Sequence, residues 1–106
     1  MMVAMARILV QYNQPADSAA FDNYYLDVHT PLAKTIPGLL SLTISSGAVA
    51  HLAGNPAPYL VAQLDFATMA DLQAGLASPE GQATAADLAN FAQAGVTLLA
   101  YETFVA

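Results

Sequence analysis

The chain predicts an α+β fold in the order β-α-β-β-α-β. Three features of the sequence predict it: four segments whose apolar residues alternate with period two, two longer stretches whose apolar residues recur at helical spacing, and Gly/Pro signals between them. At 106 residues the chain suits one domain spanning residues 1–106.

Residues 6–13, ARILVQYN, place Ile8, Val10 and Tyr12 on one face and Leu9 and Gln11 on the other, as a strand requires. QPADS follows as a turn, and either Asp17 or Ser18 can cap the next helix by accepting from free backbone N–H groups. That helix runs from about Ser18 to His29. Pro31 removes a backbone donor and crowds the preceding turn, which predicts a kink or a restart with Thr30 as a new cap, and Pro37-Gly38 ends the segment. LLSLTISS (39–46) reads as a second strand, GAVAHLAGNPAP as its loop, and PYLVAQLDF (58–66) as a third strand with Leu60, Ala62, Leu64 and Phe66 on one side. Thr68 and Asp71 resemble a capping box before Met69, Leu72 and Leu76. Ser78-Pro79 restarts a second helical piece carrying Leu88 and Phe91 inward, and Gly95 releases the chain into a fourth strand, VTLLAYETFV (96–105).

This order is the ferredoxin-like split βαββαβ arrangement, in which right-handed crossovers put the helices on one face of a four-stranded antiparallel sheet. Strands one and four carry apolar residues on both sides, so the open face is expected to be apolar. Hydrophobic residues make up 57% of the chain and charged residues 9%, against a usual charged share of about 25%. Both facts predict a homodimer packed sheet to sheet, a dimeric α/β barrel.

Composition also narrows function. Eight acidic residues against Arg7 and Lys34 give a net charge of −6, which opposes nucleic-acid binding. No apolar run approaches the roughly 20 residues that span a bilayer, so no membrane segment is expected. MMVAMAR has no basic residue ahead of its apolar part, which argues against a secretory signal and points to the cytoplasm. There is no cysteine, His29 and His51 lack zinc-site spacing, and no nucleotide-binding or nucleophile-elbow motif occurs, so neither metal nor cofactor is expected.

Chemistry concentrates in FDNYYLDVHTPLAKTIPG (21–38). On a helix, Phe21, Tyr25, Val28 and Leu32 form one stripe and Asp22, Tyr25 and His29 an adjacent one. Histidine is the residue type that changes charge nearest neutrality, which makes His29 the candidate acid or base. Tyr25, one turn earlier, is the candidate group to hold its ring or to donate to a substrate carbonyl. Tyr12 on strand one could supply a second phenol, and Tyr24, Phe21 and Asp22 complete the candidate substrate-binding set, with Asp22 able to orient His29 if the helix bends. A structural reading stands beside each. His29 could bond the backbone freed at Pro31, the tyrosines could be core or interface aromatics, and His51 is most simply a loop residue.

The segments YNQPADSAAFDNYYLDVHTPLAKTIPGL, PYLVAQLDF and ASPEGQATAADLANFAQAGVTLL resemble the EthD-domain proteins, small members of the dimeric α/β-barrel superfamily named for ethyl tert-butyl ether degradation. The resemblance covers nearly the whole chain apart from the loop around His51. It implies a homodimer and a ligand cavity between sheet and helices, with His29 looking into it. It also implies a role in a degradative or biosynthetic pathway, since such proteins include accessory proteins of degradative pathways and enzymes acting on polyketides and other small molecules. Two functions are therefore expected: acid–base chemistry without a cofactor (enolisation, cyclisation or dehydration) on a small apolar ketone-like or aromatic substrate, or a non-catalytic module that binds a hydrophobic metabolite.

Overall fold

The computed structural model describes residues 3–106, so Met1 and Met2 of the MMVAMAR segment lie outside the described residues. Its strands are β1 (Val3–Tyr12), β2 (Leu39–Ile44), β3 (Leu60–Phe66) and β4 (Val96–Phe104), in the sheet order β2-β3-β1-β4. All three pairings are antiparallel. Register follows the alternation: Ile8 lies opposite Leu64 and Ala100, and Val10 opposite Ala62 and Leu98. Ala6, Ile8, Val10 and Tyr12 of β1 and Ala62, Leu64 and Phe66 of β3 are buried under the helices, which is why each strand keeps period two on that side.

The helical layer contains α1 (Ser18–Tyr24), α2 (Thr30–Ala33), α3 (Met69–Ala77) and α4 (Pro79–Phe91). Each cap hydroxyl or carboxylate accepts from a backbone donor that the first turn leaves free. Asp17 takes the N–H of Ala20, Thr68 that of Asp71 and Ser78 that of Gly81, each at 3.0 Å. The expected break at Pro31 does not occur. A π-helical turn, Tyr25–His29, joins α1 to α2 without interruption, and Thr30 is helical rather than a cap, its N–H donating to Tyr25 O. In a regular helix the Pro31 ring would press on the carbonyl of Asp27; the wider turn just before it relieves that demand.

The same turn changes which side chains are inside. Phe21, Tyr25, His29 and Ala33 are all buried at four-residue intervals, whereas Val28 is 44% exposed, so the expected stripe of Phe21, Tyr25, Val28 and Leu32 is corrected. Four residues of an α-helix overshoot one turn by about 40°, and the widened turn cancels much of that drift. His29 is thereby brought from the edge of the stripe into its centre.

The open face of the sheet differs from expectation as well. Arg7 donates to both oxygens of Asp65, at 2.7 and 3.2 Å, with Ser41 and Tyr101 beside the pair. Leu9 and Leu99 share the next row with Gln63 and Thr43. This face is mixed, because β2 and the β3 residues turned away from the helices contribute hydroxyl, amide and carboxylate groups between the leucines.

Helices α3 and α4 meet backbone to backbone at Gly81. A Cβ there would collide with the carbonyl oxygen of Gly75 and come within 2.8 Å of Leu76 Cα. Gly81→Ala is therefore expected to cost about 2 kcal/mol, a lowering of the melting temperature by about 10 °C in a thermal scan.

Candidate functional site

The buried polar groups of the helical layer converge on one carboxylate. Asp87, on α4 and only 7% exposed, accepts from Tyr24 Oη at 2.6 Å and Asn90 Nδ2 at 2.9 Å through Oδ1, and sits 2.9 Å from His29 Nδ1 through Oδ2. His29 is 5% exposed. An ionised carboxylate can only accept, so Nδ1 carries the hydrogen and Nε2 is left with a free lone pair or, when the ring is protonated, a second N–H. Burial alone would raise the Asp87 pKa, but the bonds from Tyr24, Asn90 and His29 outweigh it and hold the group below the ordinary aspartate value.

That depression has a stability consequence. A carboxylate whose pKa is lower folded than unfolded stabilises the fold above the unfolded value, about 3.9, and the contribution disappears as pH falls through the folded value. Stability of the wild type is expected to drop below about pH 4, and Asp87→Asn should flatten that part of a pH–melting curve. An unchanged slope would remove Asp87 as the cause.

Aromatic rings set the position of the imidazole. Phe91 lies 4.6 Å from the His29 ring centroid and Tyr25 5.6 Å from it, while Tyr12 meets Tyr25 edge-on at 5.5 Å. His29, Tyr25 and Tyr12 line a chamber of about 60 Å³ between helices and sheet, floored by Ile8, Val10 and Ala62. Nδ1 is turned to Asp87, which leaves Nε2 as the ring nitrogen free for chemistry. Burial is the main reason both phenols resist ionisation, Tyr12 strongly and Tyr25 to about 12. The neighbouring Tyr25 phenol raises Tyr12 further.

The residues expected to form the site thus divide. His29, Tyr25 and Tyr12 come together at the chamber. Tyr24 is one step removed, behind Asp87. Phe21 is buried among Tyr12, Tyr25, Tyr59 and Phe91, where its ring is used in packing rather than in the chamber wall. Asp22 does not orient His29; it accepts from Tyr59 Oη at 2.8 Å on a different groove. His51 Nε2 bonds the carbonyl of Gly54 within its own loop. Sequence reasoning missed Asp87. Its signal was a polar residue in line with Thr84 and Phe91 on the buried face of α4.

Among the described residues no three His, Cys, Asp or Glu side chains converge in a metal-binding group, and no helix is long and apolar enough to cross a membrane.

Residues 13–95 match the family model of the EthD domain. An uncharacterised 11.0 kDa protein in the thcB-thcC intergenic region of Rhodococcus erythropolis is 47% identical over 96 residues, covering 90% of this chain and 91% of that protein. An ethyl tert-butyl ether degradation (EthD) family protein of Bacillus halodurans C-125 superposes with a TM-score of 0.83 at 30% identity, over 94% of this chain and 99% of that one. Two more distant structures share the fold. A hydroxynitrile lyase of Passiflora edulis does so at TM-score 0.74 and 13% identity, over 97% and 96% of the chains. A dimeric ferredoxin-like protein of Thermobifida fusca YX does so at 0.66 and 16%, over 94% and 92%.

Proposed function

The chain belongs to the EthD domain family, and from that premise we propose that it is a small-molecule enzyme of a degradative or biosynthetic pathway that moves protons on a small apolar, ketone-like or aromatic substrate. One observation carries this reading: a buried His29–Asp87 pair that leaves Nε2 free, with His29 lining the same chamber as two protonated phenols. In such a site Nε2 removes a proton from the carbon next to a carbonyl. The Tyr25 O–H donates to the carbonyl oxygen as it gains negative charge, Asp87 stabilises the imidazolium, and the same nitrogen returns the proton to carbon or to a leaving oxygen. This sequence covers enolisation, cyclisation and dehydration, and it uses only side chains of the chain itself. A positioned acid or base contributes roughly 10²–10⁴-fold, and a donor to a developing oxyanion roughly 10²–10³-fold.

The chamber admits a head of only a few heavy atoms, since about 60 Å³ corresponds to roughly two waters. The apolar remainder of the substrate would rest on Leu76 and Leu98, which line the same chamber and are exposed. A fold shared with a hydroxynitrile lyase supports a lyase-type role. The working unit is read as a homodimer joined through the sheets. Exposed Leu99 and Tyr101 on the open face of β4 support it, as does the dimeric description of the Thermobifida neighbour.

The test is exchange of α-protons in D₂O, followed by proton NMR over a panel of small enolisable ketones such as acetophenone and acetone. Acceleration above buffer that vanishes in His29→Gln is expected. Saturable ligand binding with no exchange in any member would replace the enzyme by a metabolite-binding module.

A further inference from the structure

A second cavity, of about 650 Å³, lies on the other side of Tyr25, between α1 with its π turn and the segment connecting β2 to β3. It is some tenfold larger than the chamber at His29 and falls in the range of about 300–1,000 Å³ typical of small-molecule sites. Leu26, Ile44, Val49 and Pro58 give it apolar walls, and the rings of Tyr25 and Tyr59 face it. Asp22 is the one ionisable carboxylate, and no Lys, Arg or His belongs to the lining.

Asp22 is half-buried, and its Oδ1 accepts from the Tyr59 phenol, a neutral donor. That bond is the main reason the phenol is harder to ionise than usual, so Tyr59 stays a donor and does not offset the charge. The ion pairs among the described residues are Arg7–Asp65 and His29–Asp87, and neither involves Asp22. A carboxylate in an apolar-walled concavity, with no cation beside it and on a chain of net charge −6, creates a potential that attracts positive and repels negative ligands. Tyrosine faces add cation–π attraction for an ammonium group.

We infer that this groove is a second ligand site and that it takes an organic ammonium ion with an apolar body. The ammonium group bonds Asp22 and lies against Tyr59, and the body lies along Leu26, Ile44 and Val49. The assignment stands on the groove alone and does not depend on the proton-transfer reading of His29.

Titration of the full-length protein with 2-phenylethylammonium, followed by ¹H–¹⁵N correlation spectra, tests it, with 2-phenylethanol and 3-phenylpropionate as neutral and anionic controls. Saturable shifts are expected at Gly47, Val49 and Tyr59 for the ammonium ion, with the carboxylate binding at least about tenfold more weakly. Asp22→Asn, which keeps the acceptor for Tyr59, should weaken ammonium binding about five- to tenfold. The inference is overturned if no saturable shift appears, if the three ligands bind alike, or if Asp22→Asn binds as the wild type does. Should that variant fail to fold, the ranking of the three ligands on the wild type decides alone. Groove binding and ketone exchange are read in separate experiments, so either reading can fail while the other stands.

Discussion

Replacing His29 with glutamine is expected to lower α-proton exchange by about 10²–10⁴-fold while leaving the far-UV spectrum and the oligomeric state unchanged. Glutamine fills much of the ring's volume, and its amide can still donate to Asp87, so the carboxylate keeps a partner. What disappears is the lone pair of Nε2. The loss should fall on kcat rather than KM, because Nε2 acts on the reacting proton and the substrate body is held elsewhere. A variant that keeps wild-type exchange would show that His29 serves only to fill the helix interface with an imidazole bonded to Asp87. Tyr25→Phe provides a graded companion. It removes the donor to the carbonyl oxygen but keeps the ring contacts with Tyr12, Phe21 and Phe91, so its effect on rate should exceed its effect on melting temperature.

Alternation in β1 and β3 made the sheet legible in the sequence, since two of its strands bury every second residue under the helices and leave an unambiguous period. The cap at Thr68 and the restart at Ser78-Pro79 were equally legible, the first because it is a local bond between a hydroxyl and a donor three residues on. The passage through Pro31 was not. A proline in a helical pattern reads as a stop, and the π turn that carries the helix through it has no local sequence mark. That one turn decides that His29 is inside and Val28 outside, so part of the site depended on a feature hidden from periodicity. Asp87 was hidden for a different reason. It is 58 positions from His29, and a single acidic residue in a helix reads as solvated unless its face is known to be buried. Asp22, by contrast, lies on the same helical segment as His29 and seven residues before it, which made it the nearer candidate; helical geometry turns it toward Tyr59 instead.

Asp87→Ala is expected to cost about 3–5 kcal/mol, the range found when one member of a buried pair is removed, and to lower the melting temperature by at least about 15 °C. The cost comes from what remains. His29 Nδ1, Tyr24 Oη and Asn90 Nδ2 all lose the oxygen that satisfies them, and His29 is too deeply buried for water to replace it readily. Asp87→Asn separates this structural role from the chemical one. Its amide oxygen can keep the bonds from Tyr24 and Asn90, so less stability is lost than in Asp87→Ala. Its NH₂ group then faces Nδ1 as a donor and forces the imidazole hydrogen onto Nε2, which removes the basic lone pair from that nitrogen. Asp87→Asn should therefore be more stable than Asp87→Ala at neutral pH, though below the wild type by the contribution of the ionised carboxylate, yet exchange ketone protons almost as slowly as His29→Gln. The double variant should be little slower than either single one, since both act through the same nitrogen. Additive losses in that cycle would mean that Asp87 affects turnover by a route other than the His29 ring.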